Sequence, residues 1–126
     1  MIVLDTVTLI YWTLFPNLLT NLAKRAITDA DTLVISSISI WEIAIKAKRG
    51  RIDLGVSLEE YVNRLTRLEN FDIRSVDVET WLGTAGLDWE HRDPADRAIV
   101  ATAILLDCPL VTPDRAIRSF YADTIW

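Results

Sequence analysis

The sequence is poor in the residues on which zinc-binding and disulfide-stabilised small proteins depend. It contains one cysteine, Cys108, and one histidine, His91, among 126 residues. A single cysteine permits no internal disulfide, and one cysteine with one histidine excludes a histidine-rich zinc site. We expect Cys108 to be a small core side chain and His91 to be a loop or hydrogen-bonding residue.

Long hydrophobic runs are also missing. The longest nearly apolar run, Ala98 to Leu106, is nine residues long, whereas a membrane-spanning helix needs about 20. Asp5 interrupts the N-terminus before the apolar segment of a signal peptide could form. We therefore expect a soluble, cytoplasmic protein with no membrane association.

Several catalytic signatures are absent. The chain has no Gly-Lys phosphate loop, no Gly-x-Gly-x-x-Gly and no Gly-x-Ser-x-Gly, which argues against P-loop, dinucleotide-binding and serine-hydrolase sites. The segment Asp5-Thr6-Val7-Thr8 lacks the second aspartate that haloacid-dehalogenase-type phosphatases use. An aspartyl-phosphate mechanism is therefore not expected.

The composition instead predicts one globular domain over residues 1–126. Hydrophobic residues make up 51% of the chain and five residues are Trp, so a disordered or fibrous chain is excluded. The net charge of −5 argues against a nucleic-acid partner, unless several acids are neutralised by metal in one site. A basic cluster also exists, which could contact phosphate or simply be a solvated helix end: Lys46, Lys48, Arg49 and Arg51.

The segment from His91 to Asp114 contains the strongest local pattern. Asp93-Pro94 is typical of a helix start, with Asp93 as N-cap and Pro94 in the first turn. The run from Ala98 to Leu106 has no solvated face, so it predicts a helix buried nearly all round. Asp107-Cys108-Pro109 ends that helix, and residues 110–112 predict a short interior strand.

The remaining chain alternates short apolar strands with helices. This alternation predicts an α/β fold, in which helices flank a mainly parallel central sheet. Further strands are predicted over residues 1–4, 33–35, 71–76 and 123–126. Helices are predicted over residues 9–14, 17–30, 39–49 (with Ser39 and Glu42 as a capping box), 57–68, 77–86 and 115–121.

Four acids follow the predicted strands or open the next helix: Asp5, Glu42, Asp96 and Asp114. In parallel sheets these positions converge outside the carboxyl ends of the strands. Clustered carboxylates repel one another unless a cation holds them, and all-oxygen ligand sets suit Mg²⁺ or Mn²⁺.

Each acid also has a structural interpretation. Glu42 could serve the capping box, Asp96 could complement a helix dipole, and Asp114 could begin a turn. For the pair in Asp93-Pro94-Ala95-Asp96, we assign structure to Asp93 and chemistry to Asp96, because an N-cap side chain has little freedom to reach a metal.

Four sequence blocks resemble a PIN domain, and more narrowly bacterial PIN-domain nucleases of the VapC toxin type: VLDT, ISSISIWEIAIKAKRGRI, HRDPADRAIVATA and LVTPDRAI. The resemblance runs over essentially the whole chain. It implies an α/β/α sandwich, a Mg²⁺- or Mn²⁺-dependent endoribonuclease, a homodimer and inhibition by a cognate antitoxin protein. Family ligand positions fall on Asp5, Glu42, Asp96 and Asp114, and supporting hydroxyl positions on Thr6 and Thr112.

One position departs from this branch of the family. The first block usually continues Asp-Thr-His, whereas Val7 follows Thr6 here. The acids are intact, so we predict metal-assisted hydrolysis of RNA phosphodiesters. Two alternatives stay open: a metal-dependent phosphatase acting on small substrates, and a catalytically silent binding module. The many aromatic residues favour a buried apolar interface, as expected for a homodimer.

Overall fold

The computed structural model describes residues 1–126 and contains one parallel sheet of five strands. The strands lie in the order β3-β2-β1-β4-β5, and every pair is parallel. The predicted central sheet is therefore confirmed. The strands are β1 (Ile2–Leu4), β2 (Leu33–Ser36), β3 (Phe71–Arg74), β4 (Leu110–Val111) and β5 (Thr124–Ile125).

Seven α-helices connect and flank these strands. They are α1 (Thr6–Leu14), α2 (Asn21–Asp29), α3 (Ile38–Lys48), α4 (Leu58–Thr66), α5 (Val78–Ala85), α6 (Pro94–Leu106) and α7 (Arg115–Phe120). The segment between α5 and α6 has no regular structure, as predicted. None of these helices is both long and apolar enough to cross a membrane.

Two hydrophobic cores lie on the two faces of the sheet, because side chains alternate along each strand. In β1, Ile2 and Leu4 pack against helices α1 to α4, whereas Val3 packs against α6 and α7. In β2, Val34 likewise joins the second core. This division produces the three-layer α/β/α sandwich.

The predicted helix over residues 17–30 was wrong at its start. Residues Pro16–Leu18 form a 3-10 turn, and α2 begins only at Asn21. Thr20 caps α2, because its hydroxyl accepts a hydrogen bond from the Ala23 amide at 3.1 Å. Leu19 is buried at the break, which explains why the chain does not continue as one solvated helix.

The capping-box interpretation of Ser39 and Glu42 was also wrong. Helix α3 begins at Ile38, with Ser37 at the N-cap and no side-chain cap. The Ser39 hydroxyl instead hydrogen-bonds the Thr6 hydroxyl at 2.9 Å. Ser39 and Glu42 have the spacing of a local cap, but in the structure both contact Thr6 of α1.

Helix α6 is less enclosed than predicted. It is buried from Ala98 to Ala103, but Ile104 and Leu105 are exposed. The helix ends where Asp107 adopts a left-handed conformation with φ of 49°. The apolar pattern at this end therefore marks an uncovered surface, not core.

Candidate active site

The four acids lie in segments that follow strands at the carboxyl edge of the sheet. Asp5 follows β1 and caps α1, while Asp114 lies beyond β4 and caps α7. Glu42 lies in α3, the helix after β2, and Asp96 lies in the first turn of α6. Because all strands are parallel, these elements meet at one end of the sheet.

Asp5 is the most deeply buried of the four, with 3% of its surface exposed. Its Oδ1 accepts a hydrogen bond from the Thr8 amide at 2.7 Å, and its Oδ2 accepts one from the Thr112 hydroxyl. Burial raises the pKa of Asp5 to about 6, although these hydrogen bonds favour the charged form. Thr112 also accepts from the Asp114 amide at 3.0 Å, so its hydroxyl links the two acids.

Glu42 is half-buried and held by a second hydroxyl. The Thr6 side chain donates to Glu42 Oε1. Burial raises the pKa of Glu42, and the negative charge of Asp96 raises it further, whereas Thr6 and Lys46 act in the opposite direction. The Thr6–Ser39 contact fixes the donor that orients this carboxylate.

The charge of Asp96 acts on the other acids of the group. Burial is the main reason that its pKa is raised, and the charges of Asp93 and Asp114 add to the effect. Asp96 in turn raises the pKa of both Asp5 and Glu42. Its Oδ2 lies 2.7 Å from His91 Nε2. The field of Asp96 therefore reaches the acids contributed by three other segments.

Asp93 has the structural position predicted for it. Its Oδ1 accepts from the amides of Ala95 at 2.9 Å and Asp96 at 3.2 Å, which makes it the N-cap of α6. Asp114 belongs to the acidic group and is also a helix N-cap, because its Oδ1 accepts from the Ile117 amide at 3.0 Å.

The chemistry of these donors fits a hard divalent cation. Repulsion between desolvated carboxylates is costly, and binding of Mg²⁺ or Mn²⁺ by oxygen atoms relieves it. However, no three His, Cys, Asp or Glu side chains already surround one ion-sized point. The chemical identity of the acids and their shared sheet edge fit a metal ion, while a preformed three-ligand site is not present.

Sequence reasoning missed Arg97, which organises the loop before α6. Its Nη1 donates to the carbonyls of Trp89 at 2.6 Å and His91 at 3.1 Å. Its Nη2 donates to the carbonyls of Thr84 at 2.8 Å and Leu87 at 3.0 Å. The only signal in the sequence was its place in the block HRDPADR, next to Asp96.

A parallel sheet with acids at its carboxyl edge defines an α/β protein with a candidate metal-dependent site. The family model of the PIN domain matches residues 2–122, and the chain belongs to this family. It is 32% identical over 121 residues to Ribonuclease VapC22 of Mycobacterium tuberculosis, covering 94% of this chain and 90% of that protein. It also has the fold of a toxin-antitoxin complex chain from Klebsiella pneumoniae, with a TM-score of 0.70 and 21% identity over 100% of this chain and 97% of the other.

Proposed function

We propose that this protein is a metal-dependent endoribonuclease and the toxin of a toxin–antitoxin pair. The observation that carries the proposal is the group of four carboxylates at the carboxyl edge of the sheet, with Asp96 interacting electrostatically with the other three. The similarity to a protein named Ribonuclease VapC22 supports RNA as the substrate.

Asp5, Asp96 and Asp114 would hold Mg²⁺ or Mn²⁺, with Glu42 binding the ion directly or through water. When bound, the ion lowers the pKa of a coordinated water, polarises the phosphoryl oxygen and offsets the charge that develops there. Thr112 holds Oδ2 of Asp5 and Thr6 holds Oε1 of Glu42. These hydroxyls keep both carboxylates oriented, and Oε2 of Glu42 remains available to accept a hydrogen bond from water.

Basic residues beside the acids would contact the RNA backbone. Arg115 follows Asp114 directly, and with Arg118, Ser119 and Thr124 it lines a shallow, open depression with no hydrophobic residue. Neither arginine forms an ion pair within the chain. Two unpaired guanidinium groups in a polar depression suit phosphate contacts.

The homodimer and the antitoxin belong to the same proposal. Val78 and Leu82 lie four residues apart on α5 and are 74% and 69% exposed. Leu105 of α6 lies beside Gly83 and is also exposed. We assign this α5–α6 face (Val78, Leu82, Leu105) to the dimer, since exposed apolar patches mark interfaces. The antitoxin would be a small protein, and the Klebsiella chain of the same fold belongs to a toxin-antitoxin complex.

Leu82→Asp tests the dimer. Light scattering at micromolar concentration should show a dimer for the natural protein and a monomer for this variant. Leu22→Asp is the matched control, because Leu22 is 55% exposed on α2 in the other helical layer. A natural protein that is monomeric, or a dimer unaffected by Leu82→Asp, would contradict the assignment.

The nuclease is tested by incubating mixed RNA with purified, partner-free protein in Mg²⁺, Mn²⁺ or EDTA. Cleavage should require added metal and should be lost in Asp96→Asn. Full cleavage in EDTA, or none with either metal, would contradict the proposal. Phosphate release from a nucleotide monophosphate without RNA cleavage would identify a phosphatase instead.

A further inference from the structure

The loop before α6 holds Asp96 through a single short hydrogen bond. His91 Nε2 lies 2.7 Å from Asp96 Oδ2, and because a carboxylate oxygen only accepts, the imidazole donates. The other oxygen of Asp96, Oδ1, has no hydrogen bond within the protein. One oxygen is therefore fixed while the other is available to a ligand.

Stacked rings hold the imidazole in place. The His91 ring stacks on Trp89 with centroids 4.5 Å apart and planes inclined at 22°. Trp89 also stacks on Phe120 of α7, at 4.7 Å and 12°. Phe120 belongs to the same helix that Asp114 caps, so the stack connects the loop to the helix that carries another acid.

Arg97 fixes the backbone of the same loop. Its guanidinium donates to the carbonyls of loop residues 87, 89 and 91 and to the carbonyl of residue 84 in the last turn of α5. Arg97 is the neighbour of Asp96 in α6. The residue that fixes the loop is therefore adjacent in sequence to the acid that the loop contacts.

We propose that His91 is a positioning residue that orients Asp96 for a divalent cation shared with Asp5 and Asp114. The inference rests on the proposed metal-dependent function. A carboxylate restrained through one oxygen loses less rotational freedom when the other oxygen binds an ion. Outer-sphere donors of this kind typically change metal affinity or activity by roughly 10- to 100-fold.

The test compares His91→Gln with His91→Leu, which have side chains of similar size but differ in hydrogen-bond donor capacity. Mn²⁺ affinity is measured by isothermal titration calorimetry, and the melting temperature of the metal-free protein reports the fold. We expect His91→Leu to bind Mn²⁺ about 10- to 100-fold more weakly than the natural protein. His91→Gln should recover most of that loss.

Glu90→Gln is the matched control, because Glu90 is exposed in the same loop and has no side-chain hydrogen bond or ion pair. It should bind Mn²⁺ like the natural protein. Equal or tighter binding by folded His91→Leu would overturn the positioning role, as would equal losses in His91→Leu and His91→Gln. If the natural protein binds no Mn²⁺, the proposed metal-dependent function itself fails.

Discussion

The two halves of the candidate site hold their acids in different ways. Asp5 and Glu42 accept hydrogen bonds from Thr112 and Thr6, inside or at the border of the core. Asp5 also caps α1 through the Thr8 amide. The Asp96 and Asp114 carboxylates have no hydroxyl donor: the His91 imidazole contacts Asp96, and the Ile117 amide donates to Asp114. Long-range hydroxyl donors are therefore found only in the first half, whereas the acids of the second half are held by partners five and three residues away.

The difference shows in how each half is stabilised. Burial raises the pKa of Asp5 to about 6, so its charged form disfavours the metal-free fold. Asp114 stabilises its helix directly, because it accepts from the Ile117 amide. At the same sheet edge, a charged carboxylate can therefore lower or raise the stability of the fold, depending on how deeply it is buried.

The largest expected effect is a difference in RNA cleavage between variants of Asp96 and of Asp93, which lies three residues earlier. Asp96→Asn should reduce RNA cleavage to the level seen without metal, because it removes a charge that acts on the other acids of the group. Asp93→Ser should retain cleavage, since serine also caps helices. Gel assays of RNA cleavage by the two folded variants measure this contrast, and an inactive Asp93→Ser or an active Asp96→Asn would reverse the assignment.

Thermal unfolding provides a second measurement of that contrast. Metal-free Asp96→Asn should be at least as stable as the natural protein, because the substitution removes carboxylate repulsion. Added Mg²⁺ should stabilise the natural protein by mass action, by about 2.7 kcal/mol at 100 times its dissociation constant. Equal stabilisation of Asp96→Asn by Mg²⁺ would show that Asp96 is not a ligand.

Asp5→Asn should stabilise the metal-free protein by about 3 kcal/mol above pH 6. The pKa of Asp5 is about 6 in the fold against an ordinary value of 3.8, so the folded state binds the proton more tightly. The natural protein therefore loses stability as pH rises from 3.8 to 6, and the variant lacks that contribution. Urea unfolding at pH 3.5 and pH 7.5 should show a difference only at the higher pH.

Asp93→Ala should lower the free energy of unfolding by about 0.5–2 kcal/mol, because two amides of α6 lose their acceptor. Asp93→Ser should restore most of it. Asp77→Ala is a useful comparison, since Asp77 caps α5 and is not one of the four acids, accepting from the Thr80 amide at 2.9 Å. A stability loss in Asp77→Ala without any change in cleavage would identify capping as a separate role.

The smallest effect concerns phosphate contacts. Arg118→Gln should weaken binding of an uncleavable RNA analogue and reduce the slope of log affinity against log salt by about 0.7, as for one lost contact to single-stranded nucleic acid. Arg64→Gln is the control, because Arg64 is paired with Glu60 on α4 at 3.1 Å. An unchanged salt slope for Arg118→Gln would show that Arg118 does not contact the RNA backbone.

Patterns within a few residues were sufficient to predict many of the elements. The start of α6, with Asp93 at the N-cap and Pro94 in the first turn, was correct, and the helices predicted over residues 57–68 and 77–86 correspond to α4 and α5. Such caps depend on an oxygen reaching an amide two or three residues ahead, and that distance is set by the chain itself. The parallel sheet followed from the alternation of strands and helices for a similar reason.

Contacts between distant segments were decided only by the tertiary structure. Ser39 and Glu42 have the spacing of a capping box, yet both contact Thr6, which lies 33 and 36 residues away in sequence. The Thr112–Asp5 hydrogen bond spans 107 residues, and Arg97 donates to three carbonyls of an irregular loop and to one carbonyl of α5. The sequence by itself determined that Asp5 and Asp114 follow strands and that Asp96 opens a helix. Glu42, predicted at a helix start, lies beyond the first turn of α3. Only the fold decided which hydroxyl or imidazole holds each one, because those partners become neighbours when β1, β2 and β4 align and bring their carboxyl ends together.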